Sequence, residues 1–370
     1  MHKLHGLECL RGFAAIYVLV GHLLLSCLQV QHPAVRFVLQ FGQEAVMIFF
    51  LLSGFVIFWS LRAETTFHQY FLQRVRRIYP IYLAALAVAY ASACWRNHGF
   101  VAVEGSTLLG NLLMMQDLSF LKPGVWFDVY YNNLPLWSLA YEWWFYMLFY
   151  PIERFVPIRF RVPLVFALSL IGLIWYSVLP MQPALYLMYF QIWWLGVEIA
   201  RAYRASEEGR SSSLKESSAW LLSRAIALPL VMLATEALML AVRAWFQHRQ
   251  LGVELRLGMD PVLPLRHFTS VCAMVVIGLA WYRFRFWGFS AMFAPFIYAA
   301  PISYALYVVH FPILSAEIFS GIPSPILQAI AYIIVFLAIA WLLEIRLQNL
   351  INRITKPWIK GSGKPIPRPT

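Results

Sequence analysis

Long apolar runs, each about the length of a bilayer span and separated by polar or proline-containing breaks, recur along the whole chain. They fall near residues 7–28, 40–61, 78–95, 134–152, 162–180, 184–202, 219–242, 263–282, 296–315 and 324–345. A helix rises about 1.5 Å per residue, so roughly 20 apolar residues cross a hydrocarbon core of about 30 Å. The pattern therefore predicts an all-α, polytopic membrane protein with about ten transmembrane helices. A shorter stretch, Thr107 to Met115, is below spanning length and reads as a re-entrant or interfacial helix. No internal repeat is visible, which disfavours transporters built from inverted repeats. The first run lacks a small-residue cleavage site and is too long for a signal-peptide core, so it is expected to stay in the mature protein. The segment Arg204–Ser218 and the Pro/Lys/Arg-rich stretch Lys356–Thr370 read as a flexible loop and a disordered end. Residues 1–345 then form the membrane domain, and 346–370 a basic tail.

Composition narrows the class. Of 370 residues, 61% are hydrophobic and 12% charged, with a mean hydropathy of +0.66. Soluble domains carry about 25% charged residues, so a soluble enzyme with one anchor is excluded. A net charge of +12 would suggest nucleic acid in a soluble protein. In a membrane chain it instead raises the question of which side the charges occupy, and no nucleic-acid partner is expected. Placing both termini in the cytoplasm puts 22 of the 29 Lys and Arg on that side, as the positive-inside tendency favours. The weakest part of this assignment is the loop after the seventh run, which puts Arg243, Arg249, Arg256 and Arg266 outside. Cys9, Cys27, Cys94 and Cys272 show no CxxC spacing, so they read as small core residues. No metal site and no disulfide framework is expected.

Ionisable side chains at membrane depth are costly and mark functional positions. Counted along the runs, His22, Glu142 and His310 lie in the outer half of the hydrocarbon core, with Glu44 in the same layer nearer the rim. Arg11, Arg74, Arg76 and Arg77 lie at the inner boundary. Arg11 and His22 are three turns apart, so one helix face connects the two layers over about 16 Å. Either this face is functional, or Arg11 snorkels to the interface and His22 packs between helices. Glu8, one turn before Arg11, is placed to pair with it.

His22 near Glu142 would supply a base and an orienting carboxylate able to activate a hydroxyl. Arg74 and Arg77, with Arg76 between them, present guanidinium forks suited to phosphate, or else serve only to anchor the inner boundary. Trp137 opens the fourth run in the aromatic belt and, with the aromatic residues after it, offers either a stacking surface or plain packing. Ser303, Tyr307 and His310 share one helical face, which either lines a cavity or links helices. Gly54 and Gly196 fit close helix packing.

Four of these signals occur together and in order. Leu10-Arg11-Gly12 with His22, Arg74-x-x-Arg77, Trp137-Ser138-Leu139-x-x-Glu142 and Ser303-Tyr304-x-x-Tyr307-x-x-His310-x-Pro312 resemble the acyltransferase-3 family of bacterial inner-membrane acyltransferases. The resemblance extends from about Leu7 to Glu344. It implies a ten-helix membrane domain, with both termini cytoplasmic, that takes an acyl group, commonly acetyl, from acyl-coenzyme A. The acceptor it implies is a hydroxyl of a surface glycan, such as a polysaccharide or lipopolysaccharide O-antigen, or of a lipid-linked sugar. It makes His22 the essential histidine, Arg11 its partner motif residue, Glu142 the acidic residue of the tryptophan motif, and Arg74 and Arg77 the acyl-donor pair, with Arg76 as an added guanidinium. Acyl-coenzyme A is then a co-substrate, and no bound cofactor is implied. Glu44, Trp137, Ser303, Tyr307 and His310 are carried as cavity-lining candidates. The competing class is a glycolipid transporter or flippase that uses the buried His and Glu as a substrate or proton path.

Overall fold

The computed structural model describes residues 5–211 and 218–359. Its long helices are α1 (His5–Ser26), α3 (Gly42–Ser60), α4 (Phe67–Arg96), α6 (Leu136–Phe155), α7 (Ile158–Val178), α8 (Gln182–Ser211), α9 (Ser218–Leu251), α10 (Val262–Arg283), α12 (Ser303–Ser315) and α13 (Pro325–Trp341). Shorter helices are α2 (Pro33–Leu39), α5 (Gly105–Leu112), α11 (Phe289–Phe293) and α14 (Gln348–Ile359). The two-residue strands β1 (Gln116–Asp117) and β2 (Phe127–Asp128) pair in parallel inside the α5–α6 connection. The expected loop at 204–218 is in part a continuation of α8 to Ser211, and 212–217 lie outside the described residues. The expected disordered end likewise begins as helix, since α14 runs to Ile359, and 360–370 are outside the described residues.

Each predicted apolar run coincides with a helix, but the runs are not equivalent. Among the described residues, seven helices are long and apolar enough to cross a membrane. The pair Phe289–Tyr298 and Ala300–Ser315, bent by 48° at its break, makes an eighth. Only with α6 and α8, which are less apolar, does the number reach ten. The reason is position: every residue from Met188 to Glu198 on α8 is buried, and twelve of the twenty residues of α6 are buried. A helix with protein on all sides has no lipid to face, so Tyr, Trp, Gln and Glu are tolerated where polar atoms find partners.

α8 packs against α3, α7 and α9. The α3–α8 crossing depends on two glycines: a Cβ on Gly54 would sit 2.2 Å from the Trp193 carbonyl oxygen, and one on Gly196 would sit 2.1 Å from that of Leu51. Bare backbone on each helix thus receives a carbonyl of the other, as close packing in lipid favours. Around this crossing Phe50, Phe145, Phe149, Phe190, Trp193 and Trp194 form the aromatic centre of the core. Gly196→Leu should force the two backbones apart. We expect a lower melting temperature of the detergent-purified protein and poorer yield, whereas the same change at Gly278, where an added Cβ meets nothing, should leave melting nearly unchanged.

Candidate functional site

A cavity of about 180 Å³ opens between α1, α3, α4, α6 and α12. α1 and α12 run parallel beside it. The Arg11 guanidinium donates to the Ala300 carbonyl at 3.3 Å, and eleven residues later on α1, His22 meets His310, ten residues beyond Ala300. The close approach rests on Gly12, where a Cβ would stand 2.0 Å from the Phe296 carbonyl oxygen.

One end of the cavity is cationic. Arg11, Arg74 and Arg77 all line it, facing Glu8 and Glu142, but the three arginines differ in how they are held. Arg11 forms an ion pair with Glu8 one turn away. Arg77 donates both guanidinium nitrogens to Glu344, at 2.7 and 3.2 Å, and stacks on Tyr304. Arg74 lies over the rings of Tyr70 and Tyr146; among the described residues it has no carboxylate partner, and its buried Nε is unpaired. Arg76 is not among the residues lining the cavity. Its carbonyl accepts from Gln348 at 2.9 Å, and the reason is covalent: Pro80 in α4 has no N–H for the carbonyl four residues before it. Gln348 opens α14 just after a π-helical turn, Leu342–Leu347, that carries Glu344. One segment therefore repairs the proline gap and supplies the counter-ion of Arg77.

In the middle of the cavity Glu142 accepts hydrogen bonds from Ser53 and Tyr146, and Ser53 also receives the Trp193 indole N–H at 3.1 Å. His22 is not a partner of Glu142. The far end of the cavity is closed by hydroxyls, with Tyr307 and Ser138 3.0 Å apart. His310 lies one turn beyond Tyr307, so neither it nor His22 lines the cavity. The two imidazoles pair with each other, Nδ1 of His22 being 2.8 Å from Nε2 of His310. Pro312 in α12 leaves the Val308 carbonyl without its helical donor, and Asn133 donates to it at 2.9 Å.

Of the cavity-lining candidates, Ser303 and Tyr307 line the cavity, whereas Glu44, Trp137 and His310 do not. Glu44 is taken up by Arg266 of α10. Trp137 faces a second polar cluster, built by the connection between α5 and α6. There Lys122 is 4.3 Å above the Trp137 ring, pairs with Asp117 and donates to Tyr141 at 3.2 Å. Tyr141 in turn donates to Asp117 at 2.6 Å. Burial pushes the Lys122 ammonium below its ordinary value, against the opposing pull of Asp117. Sequence reasoning missed Ser53, Asn133 and Glu344, and read Tyr146 only as one of the aromatic residues that follow Trp137. Only Glu344, a lone carboxylate in the last apolar run, carried a signal of the kind that singled out Glu142.

The sequence comparisons agree with one another. A family model described as an acyltransferase domain matches residues 4–345. Acyltransferase MdmB of Streptomyces mycarofaciens is 32% identical over 168 residues, 42% of each chain. An uncharacterized protein of Haemophilus influenzae is 30% identical over 135 residues, 34% of this chain and 55% of that protein. The aligned regions thus span less than two thirds of both relatives. No solved structure gives a significant match.

The Asp117–Lys122 pair provides a stability test, because the two side chains are only 0% and 2% exposed. Asp117→Asn leaves a buried ammonium without its counter-ion, a change that costs about 3–5 kcal/mol where such pairs are broken. Melting should fall sharply in Asp117→Asn and recover substantially in Asp117→Asn/Lys122→Met. Equal melting of the single and double variants would mean that the pair's charge is not what the cluster in the α5–α6 connection depends on.

Proposed function

The chain belongs to the acyltransferase-3 family of membrane acyltransferases, and on that premise we propose that it moves an acetyl group from acyl-coenzyme A to a hydroxyl of a surface glycan or lipid-linked sugar. The observation that carries the reading is the polarity of the cavity: three arginines at one end, hydroxyls at the other, and a histidine pair one turn beyond. Phosphate is the ligand best suited to the cationic end. Arg74, which has no carboxylate partner among the described residues, is the guanidinium best placed to take it, and such charge-assisted contacts are among the stronger hydrogen bonds. Arg11 and Arg77 add field while their glutamates hold them in place.

A cavity this narrow suits a thiol-ended arm rather than a nucleotide, so the nucleotide would rest at the arginine rim with the arm running along the Arg11-to-His22 face. The rise between those residues is about 16 Å, and because His22 lies beyond the Tyr307–Ser138 pair that closes the cavity, the thioester reaches it only when those two hydroxyls part. We place the cationic end at the cytoplasmic side of the bacterial inner membrane, with both termini inside, on the strength of the basic-residue bias, and the acceptor on the opposite side.

In the step proposed, His22 accepts the proton of the acceptor hydroxyl as its oxygen bonds to the thioester carbonyl carbon. The carbon–sulfur bond then breaks, and the proton passes to the leaving thiolate, giving an ester and free coenzyme A. An acyl-histidine intermediate is the alternative route. Glu142, held by Ser53 and Tyr146, contributes negative charge inside the cavity rather than a direct contact to His22.

Purified protein supplied with acetyl-coenzyme A and envelope glycan should release thiol, which a transporter or flippase would not. His22→Ala should lower the rate by about 10²–10⁴-fold, the usual weight of a general base. A wild-type rate would sink both the base and the acyl-histidine versions. Arg74→Ala should raise KM for the acyl donor by about tenfold, corresponding to roughly 1.4 kcal/mol, with a smaller change in kcat. An unchanged KM would assign Arg74 to topology instead.

A further inference from the structure

We propose that His310 is a positioning residue for His22, fixing the imidazole tautomer that leaves the His22 Nε2 lone pair free. This rests on the reading of His22 as the base, but the geometry behind it is independent of that reading. His310 Nδ1 lies 3.0 Å from the carbonyl oxygen of Leu306, one turn earlier on α12. A carbonyl oxygen only accepts, so this nitrogen carries the ring proton. In a neutral imidazole the other nitrogen then holds a lone pair, and that nitrogen, Nε2, is the atom 2.8 Å from His22 Nδ1. His22 must therefore donate from Nδ1, and its own Nε2 is left unprotonated. The opposite arrangement would set the Nδ1 lone pair of His310 against that of the Leu306 oxygen.

The surroundings hold this order in place. His310 is 1% exposed, with Tyr307, Phe311 and Phe336 packed around its ring, and its i to i+4 bond to Leu306 ties it to its own helix. His22 stays partly accessible, its ring nearly coplanar with that of His310, edge to edge with centroids 5.1 Å apart and planes at 20°, and bounded on one side by Phe311. Among the described residues His22 Nε2 has no protein partner, so it is the ring atom available to a hydroxyl. When His22 takes up a proton at Nε2, its Nδ1–H remains donated to His310, which spreads the new charge without a resident carboxylate. The arrangement gives His22 the orientation that an aspartate supplies in a serine-protease triad, where fixing the wrong tautomer costs about 10⁴-fold. Here it does so with no buried ion in the resting state.

The test uses full-length, detergent-purified protein that remains monodisperse, with acetyl-coenzyme A as donor. His310→Leu removes the acceptor for His22 Nδ1–H and should lower kcat by at least about 100-fold, with KM for acetyl-coenzyme A within about twofold of wild type. His310→Gln, whose side-chain oxygen can reach the position of Nε2, should recover at least about tenfold of that loss; a packing role would not favour the amide over leucine. Independently of activity, ¹⁵N spectra of histidine-labelled wild-type protein should show His22 as the Nδ1–H tautomer, and His310→Leu should convert it to a mixture. A wild-type kcat in His310→Leu, equal kcat in the Leu and Gln variants, or an Nε2–H tautomer at His22 in the wild type would each overturn the proposal. If His22→Ala were fully active but the wild-type spectrum showed Nδ1–H, the base reading would fail while the tautomer assignment stood.

Discussion

Hydrocarbon offers a polar group nothing to bond with, so each carbonyl or charge set free inside the bundle must find its partner elsewhere in the protein. Two helix prolines make this visible. Pro80 releases the Arg76 carbonyl, and Gln348 from the far end of the chain satisfies it; Pro312 releases the Val308 carbonyl, and Asn133 satisfies it. Both repairs lie next to the functional cavity. The prolines break the two helices that present the arginines and the histidine, and the repairing segments, α14 and the α5–α6 connection, brace them from outside the bundle.

The same constraint sorts the charges. Glu44 pairs with Arg266, Arg243 with Asp260 and Arg77 with Glu344, partners from separate segments of the chain, and Lys122 with Asp117 inside the α5–α6 connection. Of the four basic residues that strain the positive-inside count, Arg243, Arg256 and Arg266 are paired with Asp260, Glu254 and Glu44. Against this background Arg74 differs from Arg11 and Arg77, because among the described residues it is held by aromatic faces and not by a carboxylate. A cation kept in place by rings rather than by a carboxylate can exchange those contacts for an anion without stranding a buried negative charge.

The cavity gives the site a direction as well. Its arginines and its hydroxyl-closed end sit on opposite sides of Glu142, and the His22–His310 pair is set behind Tyr307. On the proposed function, two substrates approaching from opposite faces would meet in that layer. The centre of the bundle thus combines buried polar groups with close aromatic packing, which the glycine crossing of α3 and α8 permits.

Apolar run length determined the helices, because spanning a bilayer leaves little choice of structure, and each of the ten runs coincides with one. The sequence also singled out Arg11, His22, Arg74, Arg77 and Glu142, since charged groups in or at the edge of the membrane are costly, and the Gly54 and Gly196 contacts follow from the packing of small residues between helices. Depth along a helix is readable from residue counting, but lateral neighbours are not. His22 and Glu142 share a layer in the sequence and sit with different partners in the fold, His310 and Ser53 with Tyr146. Glu44 and Trp137, read as cavity candidates, instead serve an ion pair with Arg266 and a buried cluster with Lys122. Which helix faces which is settled by packing between segments hundreds of residues apart. Only the tertiary structure could therefore decide that the group beside His22 is another imidazole, and that Arg74 is the cavity arginine with no carboxylate partner among the described residues.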